Sequence, residues 1–210
     1  LKNVKGHKTD VVDSKWIQLL HSIGLLDNSF QPDDFCMELR QYTRHRRSLI
    51  QDSSKYIAKM NKSMVLMNIQ LKTVLSDLTG ESGLKVINAI VKGERNPEKL
   101  EKLIGRNVKA SRDDIKKALT GNWRSEHLFE LSQNLAFYEF IWNKIKETDQ
   151  QIEQILNEWQ EKHGDENRRS EYKKVNKKPC QKNDPKFNVK RFAYQMTNGV
   201  DLSQIEGVNI

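Results

Sequence analysis

The sequence predicts a mainly α protein built on a long antiparallel coiled-coil hairpin with a small helical tip. Three observations lead there. Apolar residues recur three and four apart over two long stretches, residues 34–78 and 125–161. Between them Gly80, Gly83, Gly93, Pro97, Gly105 and Gly121 break the chain into short apolar pieces. Charged residues make up 30% of the chain, aromatics 8%, and mean hydropathy is −0.78, so much solvated helix and little deep core are expected.

Residues 1–6 read as loop or extended chain. Over residues 9–23, Val12, Trp16, Leu19, Leu20 and Ile23 fall at helical spacing, and Gly24 is a natural stop. Gln31-Pro32-Asp33-Asp34 supplies a turn and an N-terminal cap for the next helix. That helix carries the seam Leu39, Tyr42, Arg46, Leu49, Ser53, Tyr56 and Met60, continued by Met64, Met67, Leu71, Val74 and Leu78. At about 1.5 Å per residue it would reach roughly 65 Å. Residues 79–121 form the helical tip.

Over residues 125–161 the second arm keeps the alternation at Leu128, Leu131, Leu135, Tyr138, Trp142, Ile145, Asp149, Ile152, Leu156 and Trp159. Two seams of similar length joined by a compact tip fold back on each other, antiparallel. The polar seam residues Arg46, Ser53 and Asp149 set register, and Arg46 can face Asp149 across the hairpin. Residues 162–190 are a basic, solvated linker with Pro179 and Pro185, and residues 191–210 regain the pattern of a folded domain.

The 36 Lys and Arg against 28 Asp and Glu leave a net charge of +8, which favours a polyanionic partner. Cys36 and Cys180, far apart, support neither a disulfide framework nor a zinc site and read as free thiols. The five histidines lack ligand spacing, and no phosphate-binding glycine loop is present. No apolar run approaches the roughly 18 residues of a membrane span, and no signal peptide opens the sequence. A soluble intracellular protein without a membrane partner is expected. Leu1 is not an initiator Met, and the final pattern breaks off at Ile210, so a piece of a longer chain is also expected.

One segment can carry chemistry. In Lys8-Thr9-Asp10-Val11-Val12-Asp13 the two aspartates lie i and i+3, on one face of a helix. Mg²⁺ takes oxygen ligands and is commonly held by one or two carboxylates together with substrate phosphate. Thr9 or Asp10 is equally a good N-cap, and acidic residues in a first turn complement the helix dipole. On spacing alone that capping arrangement is the commoner one.

The segment from Val4 to Ile17 resembles the end of the RuvC-like catalytic domain of DEDD transposases of the insertion-sequence 110 family. Tyr42-Thr43-Arg44-His45-Arg46 and Met67-Asn68-Ile69-Gln70-Leu71 resemble that family's first coiled-coil arm. Leu78-Thr79-Gly80-Glu81-Ser82-Gly83-Leu84 and Gly93-Glu94-Arg95-Asn96-Pro97 resemble the piece joining its arms. The stretch from Gly199 to Val208 is similar to the opening of its C-terminal transposase domain, with Asn209 where a second glycine is usual.

The resemblance implies that residues 1–30 end a RuvC-like domain, residues 34–161 form the hairpin, and residues 191–210 open the C-terminal domain. It makes Asp10 and Asp13 the last two ligands of a divalent metal site binding Mg²⁺, with Lys8 the basic residue before them. It implies a DNA transposase, guided by a bridge RNA, that cleaves and rejoins DNA in a prokaryotic cytoplasm at the nucleoid. Oligomers would form through the coiled coil. Nucleic-acid contacts are expected from Lys8, Arg44, Arg46 and Arg47, with Lys55, Lys59 and Lys62 further along the same helix. The family's other two acidic ligands and its serine have no counterpart in this sequence, so this piece alone is expected to be inactive. The alternative is a non-enzymatic coiled-coil module for oligomerisation and nucleic-acid binding.

Overall fold

The computed structural model describes residues 9–26, 31–163, 182–197, 199–200 and 202. Lys8, Cys180, the loop at residues 1–6, most of the basic linker and the end of the final motif lie outside the described residues. The described chain is mainly α, and no strand occurs among the described residues. No described helix is long and apolar enough to cross a membrane. The chain divides into two units, residues 1–37 and residues 38–210.

The first unit holds α1, Asp10–Ser22. Thr9 caps it, accepting the Val12 N–H on Oγ1 at 3.3 Å. Gly24, at φ 70°, ends it: the Gly24 N–H reaches the His21 carbonyl and the Leu25 N–H the Leu20 carbonyl, a left-handed C-terminal cap that glycine adopts without steric cost. Helix α1 buries no side chain, and Val12, Trp16, Leu19 and Ile23 are all exposed.

Helix α2 is Asp34–Leu66, started by the Asp33 carboxylate, which accepts the Cys36 N–H at 2.7 Å. The expected run to Leu78 ends twelve residues early, so α2 measures about 50 Å rather than 65 Å. Asn68 turns into the left-handed region at φ 61°, and the Gln70 N–H leaves the helix for the Ala118 carbonyl at 2.9 Å. Met67, Leu71, Leu75 and Leu78 keep their apolar spacing because they enter a core that the tip shares with Met60 and Met64 of α2.

Four short helices contribute to it: α3 Leu71–Val74, α4 Glu81–Val91, α5 Pro97–Lys102 and α6 Arg112–Ala118. Val86, Ile87, Ile90, Leu100, Ile115 and Leu119 are buried in it. The expectation of little deep core is therefore corrected. The apolar residues are few but concentrated, and three helices begin at good stops (Asn96 with Pro97, Ser111, and Gly80) that let the chain turn back on itself. Two glycines permit the tightest approaches. A Cβ on Gly83 would stand 2.0 Å from the Leu78 carbonyl oxygen, and one on Gly121 would stand 2.5 Å from that of Met67. The Asn122 N–H closes the module on the Met67 carbonyl at 2.9 Å.

Helix α7, Ser125–His163, returns alongside α2. Arg46 meets Asp149 and Tyr56 stacks on Phe137, so ten residues forward on α2 correspond to twelve residues back on α7. The two helices are thus antiparallel. Helix α7 buries Leu131, Leu135, Tyr138, Ile145, Ile152 and Leu156, and beside them Asn134, Ile141 and Thr148. This stripe is broader than a two-helix seam requires, because α4 and the last helix also pack on α7.

The last helix, α8, is Val189–Met196, with Phe192 buried and set edge-on to Phe187. Just before it the chain is fixed to the hairpin. Arg46 donates to the Asn183 carbonyl at 2.8 Å, and Lys182 meets both Asp77 carboxylate oxygens at 2.8 and 3.0 Å and the Thr79 hydroxyl. The residues at 182–196 therefore lie on the flank of the hairpin where Arg46 and Asp149 meet.

Candidate metal and nucleic-acid sites

The acid pair sits on the first turn of α1. Asp10 is the first helical residue and Asp13 the fourth; Asp10 is exposed and Asp13 half-buried. The turn is held by its neighbours. The Asp13 N–H bonds the Thr9 carbonyl at 3.0 Å, Thr9 Oγ1 takes the Val12 N–H, and the Ser14 hydroxyl donates to the Asp10 carbonyl. Capping is thus done by Thr9. Val12 occupies the position where a capping box would need Glu or Gln. Among the described residues neither carboxylate takes a hydrogen bond or an ion pair, so both oxygen pairs are available to a ligand.

The donor chemistry suits a hard divalent cation, since carboxylate oxygens on one rigid turn are what Mg²⁺ accepts. Their number is short of a full protein site. Among the described residues no group of three or more His, Cys, Asp or Glu could hold a metal. The residues therefore fit as a share of a metal site, to which substrate phosphate and further carboxylates would add.

The basic candidates divide. Arg44 and Arg47 are exposed on α2, three residues apart. Arg46, counted with them in the sequence, points the other way. Its Nε lies 2.5 Å from Asp149 Oδ1 and its NH2 3.3 Å from Oδ2, with side-chain exposures of 11% and 14%. A guanidinium committed to a carboxylate and a backbone carbonyl has few donors left for a phosphate, so Arg46 serves the helix pair. The acid pair belongs to the unit of residues 1–37 and the arginines to that of residues 38–210.

Seam spacing passed over three residues. Phe129, Phe137 and Phe140 are 69%, 50% and 58% exposed on α7. They fall between the three-four positions of the buried stripe, and that offset is the signal that could have found them.

Residues 2–69 match the model of the DEDD transposase family of insertion-sequence 110, described as Transposase. The match covers Asp10, Asp13, Arg44, Arg46 and Arg47 and closes just beyond the end of α2. No curated protein and no solved structure matches the chain.

Proposed function

We infer, from a chain that carries a DEDD transposase segment of the insertion-sequence 110 family at residues 2–69, a DNA transposase that cuts and rejoins the ends of a mobile element. The observation that carries this reading is the first turn of α1. Thr9 does the capping and leaves Asp10 and Asp13, side by side, with no other employment.

Asp10 and Asp13 would hold Mg²⁺ as two of the four acidic positions of a DEDD site. A divalent ion there supplies charge neutralisation and Lewis acidity at a DNA phosphate. Thr9 and Ser14 keep the turn rigid, so the carboxylates are oriented before DNA arrives. Lys8, Arg44 and Arg47 would neutralise backbone phosphates, which positions DNA or a guide RNA without reading sequence. The paired helices α2 and α7, with the tip between them, form the coiled-coil hairpin that would bring copies of the protein together. Alone, this 210-residue chain is expected to be inactive in strand transfer, having two of four ligands.

The experiment is transposition of a marked element by an active transposase that contains these residues. Asp10→Ala and Asp13→Ala should each abolish it, while Arg47→Ala should reduce it several-fold. Transposition at the parental frequency in the Asp10→Ala element would remove the metal role.

A second reading rests on one observation: no third metal-ligating side chain joins the aspartates among the described residues. In that reading the hairpin is a non-enzymatic module for oligomerisation and nucleic-acid binding, and both aspartate variants transpose normally.

A further inference from the structure

Residues 182–197 return along the hairpin and contain α8. They are gripped at their leading end and seated further on. Lys182 meets both Asp77 carboxylate oxygens and the Thr79 hydroxyl, and the Asn183 carbonyl accepts from Arg46. Helix α8 packs on α7 and buries one side chain, Phe192, with the Phe187 ring edge-on to it. The other side chains of α8 are half-buried or exposed.

Both sockets on the hairpin have partners of their own. Asp77 Oδ1 also accepts the Thr79 N–H at 2.9 Å and the Thr79 hydroxyl at 3.1 Å. Arg46 reaches both oxygens of Asp149 without help from Asn183. Withdrawing Lys182 and Asn183 therefore strands no charge on the hairpin, and a stranded charge is what makes a covered pair costly to break.

The two attachments also differ in kind. Helix α7 is held by a long apolar stripe: Leu131, Leu135 and Tyr138 share a core with Met60 and Met64, and Ile145, Ile152 and Leu156 extend it. The Lys182–Asp77 pair has side-chain exposures of 39% and 49%, so water and salt weaken it. A segment with one buried ring and a partly solvated ion pair opens at lower free energy than such a core.

We infer that residues 182–197 are a strap that lifts from the hairpin as one piece, with the Lys182 contact as its latch, while α2 and α7 stay paired. Closed, the strap fixes the chain after Met196 against the hairpin. Open, it lets that chain move away, and the charge on one lysine sets the balance. The inference uses neither the acid pair of α1 nor the transposase reading.

The test is amide hydrogen exchange of the full 210-residue chain, read by mass spectrometry. Amides bonded within α8 should exchange at least about tenfold faster than those of residues 131–145. Lys182→Ala should quicken exchange in α8 by up to about fivefold, the scale of a partly exposed ion pair, and leave α2 and α7 unchanged. Asp77→Asn should do the same. Raising salt from about 0.05 M to about 0.5 M should quicken α8 more in the parent than in Lys182→Ala. Phe192→Ala should strip α8 of protection and leave residues 131–145 protected. Fraying of α8 by itself would be indifferent to Lys182, which lies ahead of the helix. Unchanged exchange in the Lys182→Ala or Asp77→Asn variant therefore overturns the inference. It is overturned equally if α8 and α7 exchange at one rate, if salt acts alike on the parent and Lys182→Ala, or if Phe192→Ala also exposes residues 131–145.

Discussion

Arg46 and Asp149 are 103 residues apart in the chain, yet the arginine Nε lies 2.5 Å from the aspartate Oδ1 across α2 and α7. Both side chains are nearly covered, so removing one strands the other as an uncompensated buried charge. Asp149→Ala should cost about 3 kcal/mol, the lower end for a broken buried pair. Arg46→Met with Asp149→Leu should recover most of that loss. Urea unfolding followed by circular dichroism checks both, and a double variant no better than Asp149→Ala would mean that the Asn183 contact matters more than the pair.

Backbone approach gives a sharper stability prediction. At Gly83 a methyl group would meet backbone atoms of Leu78, which no side-chain rotation can relieve. Gly83→Ala should therefore destabilise by about 3 kcal/mol or more, among the large effects expected of core overpacking. Gly121→Ala should come next, because part of its clash is with the Ile69 side chain, which can move. Gly105→Ala, at an ordinary 3.5 Å from Ser82 Oγ, should be close to neutral. Thermal denaturation of the three variants should rank them in that order.

Asp77 ties the returning chain to the tip in a pH-dependent way. Burial works to raise its pKa, but the Lys182 ammonium, the Thr79 N–H and the Thr79 hydroxyl together hold it below the ordinary aspartate value. A depressed folded-state pKa adds stability above the unfolded pKa, about 3.9 for aspartate, and loses it as pH falls through the folded value. Asp77→Asn should thus be less stable than the parent at pH 5–7, and the difference should shrink as the pH falls through the lowered folded value. A gap that stays constant with pH would mean that the carboxylate charge has no part in the contact.

Much of this architecture was legible in the sequence. The ends of α1, the start of α2, the whole of α7 and the Arg46–Asp149 pairing follow from three-four spacing and cap residues, which act locally. The end of α2 did not follow, because Met67, Leu71 and Leu78 satisfy a helical period equally well when they enter the tip core. Only Asn68 marks the break, and asparagine tolerates the left-handed region without requiring it. The Lys182–Asp77 contact was hidden for another reason: one lysine in a lysine-rich linker carries no mark of its partner 105 residues away. At the proposed metal site, spacing gave a pair of carboxylates, and the role proposed for them came from the resemblance. Arg46, charged and near Arg44 and Arg47, reads as a phosphate ligand until its partner on α7 is seen.

Thr9 and the two aspartates can be separated experimentally. Thr9→Ala removes the cap and should lower the stability of the α1 helix by about 1 kcal/mol. It should not remove a metal ligand. Asp10→Asn with Asp13→Asn keeps the cap and removes the charge. Amide exchange in α1 should rise in the first variant and change little in the second; the reverse would make the aspartates capping residues.

The most direct measurement is Mn²⁺-induced relaxation of backbone amide resonances in the chain itself. Mn²⁺ should selectively broaden the first turn of α1, Mg²⁺ should compete, and Asp10→Asn with Asp13→Asn should abolish the effect while Thr9→Ala retains it. Broadening spread evenly over exposed acids such as Glu98 and Asp113, and unchanged in the double asparagine variant, would contradict a metal role for the pair.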